Sequence, residues 1–110
     1  MRLKVKFYAT LSGREPVREW LRSLAREDRK IIGDDIKTAQ FGWPLGMPLI
    51  RKLDKDLWEV RSNLDKRIAR TLFTVEGDLM VLLHGFVKKS QKTPRKELSM
   101  AQKRLAMLRK

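Results

Sequence analysis

The N-terminal part of the chain opens with a strand-like pattern and continues with a helical one. Residues 3–9, LKVKFYA, place apolar side chains at every second position, which is typical of a half-buried strand. Pro16 then occupies a position that is favoured at the start of a helix. The apolar residues that follow have the i, i+3, i+4, i+7 spacing of an amphipathic helix and are Val17, Trp20, Leu21 and Leu24.

A second helix is predicted from about Asp28. Its inner stripe consists of Ile32, Ile36 and Ala39. Residues 41–48, FGWPLGMP, end this helix, because two glycines and two prolines in a short span exclude regular structure.

Three strand-like segments follow, and they are residues 57–64 (LWEVRSNL), 66–77 (KRIARTLFTVEG) and 78–86 (DLMVLLHGF). A tight hairpin turn with Gly77 is expected between the last two. The last segment is apolar on both faces, which predicts a central place in the sheet. From Pro94 onward, Leu98, Ala101, Leu105 and Leu108 form one apolar seam on an otherwise basic helix.

The predicted order of elements is therefore β-α-α-β-β-β-α. It indicates a compact α+β domain, in which a small, mainly antiparallel sheet is packed by two N-terminal helices and a basic C-terminal helix. With 110 residues the chain has room for a single domain, residues 1–110.

Composition narrows the classes of function. The chain has no cysteine and one histidine, His84, so neither a disulfide framework nor a site built from cysteine or histidine ligands is expected, and we predict no metal and no cofactor. The N-terminus does not resemble a signal peptide, and no apolar run reaches transmembrane length. We expect a soluble, cytoplasmic protein that does not enter the membrane.

Net charge points to a polyanionic partner. The chain has 26 Lys and Arg against 13 Asp and Glu, which gives a net charge of +13 and a pI near 10.7. Residues 88–110 alone contain nine basic residues and one acidic residue. Nucleic acid is favoured over a membrane surface as the partner.

The densest positive charge directly follows the most hydrophobic segment. Residues 84–94 read HGFVKKSQKTP and present Lys88, Lys89 and Lys92 among hydroxyl and amide side chains. Like charges this close together cost free energy unless an anion joins them. We interpret the run as a phosphate site, with a solvated loop as the alternative.

Arginines on the predicted sheet could extend that site. Alternation places Arg61 on the same face as Glu59. Arg67 and Arg70 are three residues apart and face opposite sides, so one of them shares the Arg61 face. Arginine suits phosphate, because its planar fork donates two parallel hydrogen bonds and stays charged. Pairing with Glu59 or Asp65 is the alternative for each arginine.

Histidine and tryptophan allow two interpretations each. His84 lies in an apolar strand, where it is either a hydrogen-bonded structural residue or a proton carrier. Trp20 and Trp58 are expected in the core. Trp43 is expected to anchor the loop that contains it, and an exposed platform for a base is the alternative.

Phosphodiester transfer within RNA is the chemistry that this set of residues could support. The 2′-OH of the substrate is the nucleophile, so the protein needs only to orient it, stabilise the phosphorane and move protons. A lysine crowded by other cations can move protons, because like charges disfavour its protonated form. Plain RNA or DNA binding would use the same residues.

Residues 57–104 resemble the RelE/ParE superfamily of bacterial toxins. Within it they resemble the HigB-like, phage-derived branch, whose members carry a run similar to LLHGFVKKSQKTP followed by a helix with an A-x-x-R step, here Ala101 to Arg104. The resemblance implies the toxin of a type II toxin–antitoxin system, a metal-independent endonuclease that cleaves mRNA in the ribosomal A site by 2′-OH attack and so inhibits translation. The partners it implies are mRNA, the ribosome and a small antitoxin, which often contains a helix-turn-helix. The resemblance implies that the toxin contacts operator DNA only through this antitoxin.

The resemblance also implies roles for individual residues. Arg61 corresponds to a basic residue of the catalytic strand, Arg70 to the phosphate-stabilising arginine, and Lys88 and Lys89 to a second catalytic basic position. His84 joins this catalytic set as a candidate proton carrier. Further RNA-binding candidates are Arg67, Lys92, Thr93, Arg95, Lys96 and Arg104.

The chain departs from RelE in two places. RelE has a tyrosine in its C-terminal segment, whereas Tyr8 is the only tyrosine here and lies in the first strand. If Tyr8 does not reach the site, the group that transfers protons is a lysine or His84, or the chain has no such group. Glu59 also stands where a basic residue would be expected.

Two other functions compete with the endonuclease. A ParE-like inhibitor of DNA gyrase has the same fold without catalysis, but such chains lack a dense basic catalytic set. A basic nucleic-acid-binding module would bind with salt-dependent affinity and would cut no strand.

Overall fold

The computed structural model describes residues 2–110, in which three helices pack against a five-stranded mixed sheet. In chain order the elements are β1 (Lys4–Phe7), α1 (Pro16–Ser23), α2 (Arg26–Gly42), β2 (Ile50–Asp54), β3 (Leu57–Leu64), β4 (Arg67–Glu76), β5 (Leu79–Lys88) and α3 (Arg95–Leu108). The predicted α+β class is confirmed. Within the described residues no helix is both long and apolar enough to span a bilayer.

The predicted order of elements was wrong by one strand. β2 pairs antiparallel with β3, with Ile50 opposite Val60. Its two apolar residues, Ile50 and Leu53, are three apart, and they pack into the cores on opposite faces of the sheet. A short edge strand with apolar residues on both faces shows no alternation, which is why the hydrophobic pattern did not reveal it.

The strands lie in the order β1-β5-β4-β3-β2. β1 is parallel to β5, and the other three pairings are antiparallel. β5 lies between β1 and β4, so its predicted interior position is confirmed. The β4–β5 hairpin turns at Gly77, whose φ of 61° is the left-handed conformation that glycine adopts without strain.

Each face of the sheet has its own hydrophobic core. The core under α1 and α2 contains Leu3, Ile32, Ile36, Val60 and Phe73 among others, and the core under α3 contains Tyr8, Leu57, Leu72, Phe86, Ala101 and Leu105 among others. The predicted faces of β1 and β3 are therefore confirmed. Trp43 packs edge-on against Trp58 at a centroid distance of 5.0 Å, which confirms that it anchors its loop.

Two irregularities of β5 set the geometry near its end. The register with β4 shifts so that Leu72 faces His84 and Phe73 faces Leu82, which leaves Leu83 as an extra residue. At Gly85 the ring of Trp20 lies where a side chain would begin, 2.2 Å from an ideal Cβ. β5 then continues to Lys88, two residues beyond the predicted end.

Candidate functional site

The segment after β5 folds over the α3 side of the sheet. We call residues 88–93 the basic loop. Arg70 donates from Nη2 to the carbonyl oxygen of Ser90 at 2.6 Å, and Arg61 donates from Nη2 to Oε1 of Gln91 at 3.0 Å. Thr93 donates from Oγ1 to Oε1 of Glu59 at 2.6 Å. Three side chains of the sheet therefore hold the basic loop, and the predicted meeting of sheet arginines with the lysine run is confirmed.

A buried ion pair lies beneath the basic loop. Glu59 and Arg70 are both fully buried, with 3.6 Å between Oε1 of Glu59 and Nε of Arg70. Burial lowers the pKa of Arg70, and the carboxylate of Glu59 opposes that effect. Oε2 of Glu59 and Nε and Nη1 of Arg70 have no hydrogen-bond partner among the described residues. Arg70 therefore reaches the basic loop only through a backbone carbonyl, from below.

Arg61 is the more accessible of the two arginines on this face. Its Cα lies opposite that of Arg70 in the β3–β4 ladder, and its side chain is 15% exposed. Nε of Arg61 lies 4.0 Å from Oε2 of Glu59. The same guanidinium group therefore approaches the buried carboxylate, touches the basic loop and meets solvent.

The lysines of the basic loop are exposed and uncompensated. The ammonium groups of Lys88, Lys89 and Lys92 make no hydrogen bond or ion pair with any residue in the described range. The carboxylate of Glu59, which lies beneath the basic loop, is already engaged by Thr93 and two arginines. The surface at the end of β5 is therefore electropositive and open to an anion.

His84 lies beside this surface, and both of its ring nitrogens are engaged. Nε2 is 2.8 Å from Oε1 of Glu97, and Nδ1 is 3.3 Å from Nη1 of Arg104, which also donates to the carbonyl oxygen of Leu83 at 2.8 Å. Because arginine can only donate, Nδ1 must accept, and Nε2–H donates to Glu97. These contacts join β5 to α3 through the ring of His84.

Arg104 also connects this group to Tyr8. Its guanidinium lies 6.0 Å from the centre of the Tyr8 ring, and burial lowers the pKa of Arg104. Tyr8 itself is buried in the core under α3. It makes no hydrogen bond to the basic loop in the part of the chain that the structure describes.

The remaining candidates are divided between two places. Arg67 donates to Oδ2 of Asp28 at 2.8 Å and so faces α2, away from the basic loop. Arg95 and Lys96 are exposed in the first turn of α3, directly after the basic loop. The structure thus gathers Arg61, Arg70 and the basic loop, places His84 and Arg104 beside them, and separates Arg67.

The family becomes clear from comparison with known proteins. The family model described as Phage derived protein Gp49-like (DUF891) matches residues 19–106, which is most of the chain. The chain belongs to this family. Gp49-like proteins are a toxin-like family related to the RelE/ParE superfamily, so the superfamily relation inferred from the sequence is supported at this level. Among curated proteins, no sequence matches the chain significantly.

Sequence reasoning missed several contacts of the site in this Gp49-like protein, although it had named some of the residues that make them. Gln91 and Glu59 contact residues that are 30 and 34 positions away along the chain, and nothing in the local sequence announces such pairs. Asp35 and Asn63 were also missed, although with Arg61 they line one depression of about 300 Å³. Across residues 2–110, no group of three or more metal-ligating side chains comes together.

Proposed function

We propose that this Gp49-like protein is the toxin of a type II toxin–antitoxin system and a metal-independent, ribosome-dependent mRNA endonuclease. The observation that carries the proposal is the basic loop, whose lysines have no anionic partner in the described residues although three side chains of the sheet hold its backbone and polar groups. Lysines without an anionic partner, in a loop that the sheet holds in place, are suited to binding a phosphate. Membership in a toxin-like family supports the same function.

In the proposed reaction the 2′-oxygen of a nucleotide attacks the adjacent phosphorus, and the 5′-oxygen of the next nucleotide leaves. The products are a 2′,3′-cyclic phosphate and a 5′-hydroxyl. One group must accept the proton of the 2′-OH, and another must deliver a proton to the leaving oxygen. We assign these transfers to Lys88 and Lys89, because their exposed ammonium groups lie at the end of β5 without a partner in the described residues.

The arginines take different roles in this proposal. Arg61 reaches the surface and can stabilise charge on the phosphorane together with Lys92. Arg70 is fully buried, so we assign it a positioning role through the carbonyl of Ser90. His84, held between Glu97 and Arg104, is assigned to positioning the end of β5 against α3.

The exposed basic residues beyond the loop would attract the RNA and the ribosome. Arg95 and Lys96 continue the positive surface onto α3. Such contacts neutralise phosphates without reading sequence, and they make binding dependent on salt. A cognate antitoxin would have to cover this surface to block the toxin, and operator DNA would be met only through that antitoxin.

Primer extension on a defined mRNA tests the proposal, with purified protein and with or without programmed ribosomes. We expect cuts only when ribosomes are present, and their loss in Lys89→Ala. Lys6→Ala is the matched control, since Lys6 is an exposed lysine of β1 without a side-chain partner in the described residues.

Two results would refute the endonuclease. Intact mRNA with growth arrest would favour a ParE-like inhibitor, and a gyrase supercoiling assay would then be decisive. RNA affinity that falls equally in Lys89→Ala and Lys6→Ala, without strand scission, would favour a binding module.

A further inference from the structure

A depression at the edge of β3 adjoins the candidate site. β2 pairs with β3 as far as Val60, and one further backbone hydrogen bond joins Arg61 to Leu49, so the edge of β3 is uncovered only beyond Arg61. A depression of about 300 Å³ opens there, lined by Ile31 and Asp35 of α2, Pro48 and Leu49 of the segment before β2, and Arg61 and Asn63 of β3. Because the side chain of Arg61 also donates to Gln91, the depression and the basic loop share one residue, Arg61.

The walls of the depression are held in place by the backbone. The N–H of Arg61 donates to the carbonyl oxygen of Leu49 at 2.8 Å, which fixes the segment before β2 against β3. Ile31 and Asp35 are four residues apart on α2 and therefore lie on the same face of that helix. The space is thus a feature of the fold and does not depend on one flexible side chain.

The lining combines an apolar surface with two unused polar groups. Ile31, Pro48 and Leu49 supply apolar contact area, and Ile31 is 38% exposed. The side chains of Asp35 and Asn63 make no hydrogen bond or ion pair with other described residues. A few convergent polar groups around apolar walls are typical of a small-molecule pocket, and this volume lies at the lower end of the range for such pockets.

We propose that this depression receives a guanine base of the RNA strand whose phosphate meets the basic loop. The proposal rests on the proposed function and deepens it by naming the base. A carboxylate only accepts hydrogen bonds. Guanine presents N1–H and N2–H side by side on one edge, and these two donors match the two oxygens of Asp35.

The other bases fit this carboxylate less well. Adenine and cytosine place a ring nitrogen acceptor beside their amino group, and uracil places carbonyl oxygens on both sides of its N–H. Each would bring an acceptor towards the carboxylate. Asn63 can donate from its amide to O6 of guanine, and the apolar side chains can contact the faces of the ring.

Asp35→Asn tests the proposal, since it keeps the shape of the side chain and replaces one acceptor oxygen with a donor. Asp34→Asn is the matched control, because Asp34 is the neighbouring exposed carboxylate, pairs with Lys30 at 3.0 Å and does not line the depression. Asn63→Ala is a second variant of the depression. Circular dichroism and thermal unfolding establish that each variant is folded.

Two measurements are made on each protein. Cleavage sites are mapped by primer extension on programmed ribosomes, and binding of the hexamers UUGUUU and UUAUUU is measured by fluorescence anisotropy at fixed salt. We expect the wild type and Asp34→Asn to cut next to guanine and to bind the guanine hexamer more tightly. In Asp35→Asn the preference should fall roughly 10-fold or more, as expected for loss of a two-hydrogen-bond contact to a base.

The outcomes separate this proposal from the endonuclease. A guanine preference in hexamer binding that Asp35→Asn removes, without cleavage by any protein, supports the base pocket and overturns the proposed function. Cleavage without a preference for guanine, or with a preference that Asp35→Asn leaves intact, overturns the base pocket and retains the endonuclease.

Discussion

The two faces of the sheet are built in opposite ways. Under α1 and α2 the contacts are mainly aromatic and apolar, with Trp43 packed 5.0 Å from Trp58 and 5.7 Å from Phe73 between ring centres, and the polar groups buried there are the uncharged hydroxyls of Ser62 and Thr71. Under α3 the sheet buries a carboxylate and a guanidinium, Glu59 and Arg70, beside an otherwise apolar core. One sheet therefore has one face closed by apolar packing and another whose end is charged.

The difference separates stability from positioning. Apolar burial stabilises a fold in rough proportion to the area removed from water, at about 25 cal/mol per Å². A buried ion pair contributes little net stability, because desolvation of both charges offsets their attraction. The buried pair of Glu59 and Arg70 lies under the basic loop. We therefore expect the pair to position that loop more than it stabilises the fold.

Removal of one member of the buried pair should have the largest effect. In Arg70→Met the carboxylate of Glu59 stays buried without its nearest cation, and we expect the free energy of unfolding to fall by about 3–5 kcal/mol. The double variant Glu59→Leu with Arg70→Met should recover most of that loss, because two apolar side chains replace two charges. Urea denaturation monitored by circular dichroism measures both.

The same double variant distinguishes stability from positioning. It lacks the contacts of the sheet with Ser90 and Thr93, so we expect it to fold but to lose most cleavage in the primer-extension assay. Cleavage at the wild-type level would show that the buried pair does not position the basic loop.

Overpacking the opposite face should have a smaller effect. Gly85→Ala places a methyl group 2.2 Å from the Trp20 ring, so α1 must shift, and we expect a loss of about 1–3 kcal/mol in the free energy of unfolding. Gly33→Ala is the control, since the space around Gly33 is open and alanine favours a helix by about 0.5–1 kcal/mol. Equal stability of the two variants would mean that α1 is loosely packed on β5.

The sequence predicted more of the apolar face than of the charged one. Alternation along β3 assigned the faces of that strand, because period-2 patterning is a local property, but it left open whether Arg67 or Arg70 shares the face of Arg61. The hydrogen bonds that join Gln91 and Thr93 to β3 depend on where the basic loop folds back over the sheet. No local sequence pattern encodes the path of that loop. The roles of the site residues in catalysis stay predictions.

The depression beside Arg61 could not be predicted from the sequence for a related reason. It lies where pairing along the edge of β3 ends, one residue beyond Val60, between the segment before β2 and α2. β2 itself went unrecognised, since its apolar residues do not alternate. A site that depends on where an edge strand ends could not be inferred before that strand was seen.

Loss of an exposed polar contact between α3 and the sheet should have the smallest effect on stability. The pH dependence of unfolding should reveal that effect. The pKa of Asp54 is lowered, first by the backbone N–H of Lys55 and then by the side chain of Gln102 in α3. A carboxyl whose pKa is lower in the folded state stabilises the fold above its unfolded pKa, near 3.8, and this contribution disappears as pH falls through the lower folded value. Asp54→Asn should therefore be slightly less stable than wild type at pH 6, and the difference should shrink steadily below about pH 4. Urea unfolding from pH 6 to pH 2 measures it, and a constant difference over that range would show that the charge of Asp54 does not help to hold α3.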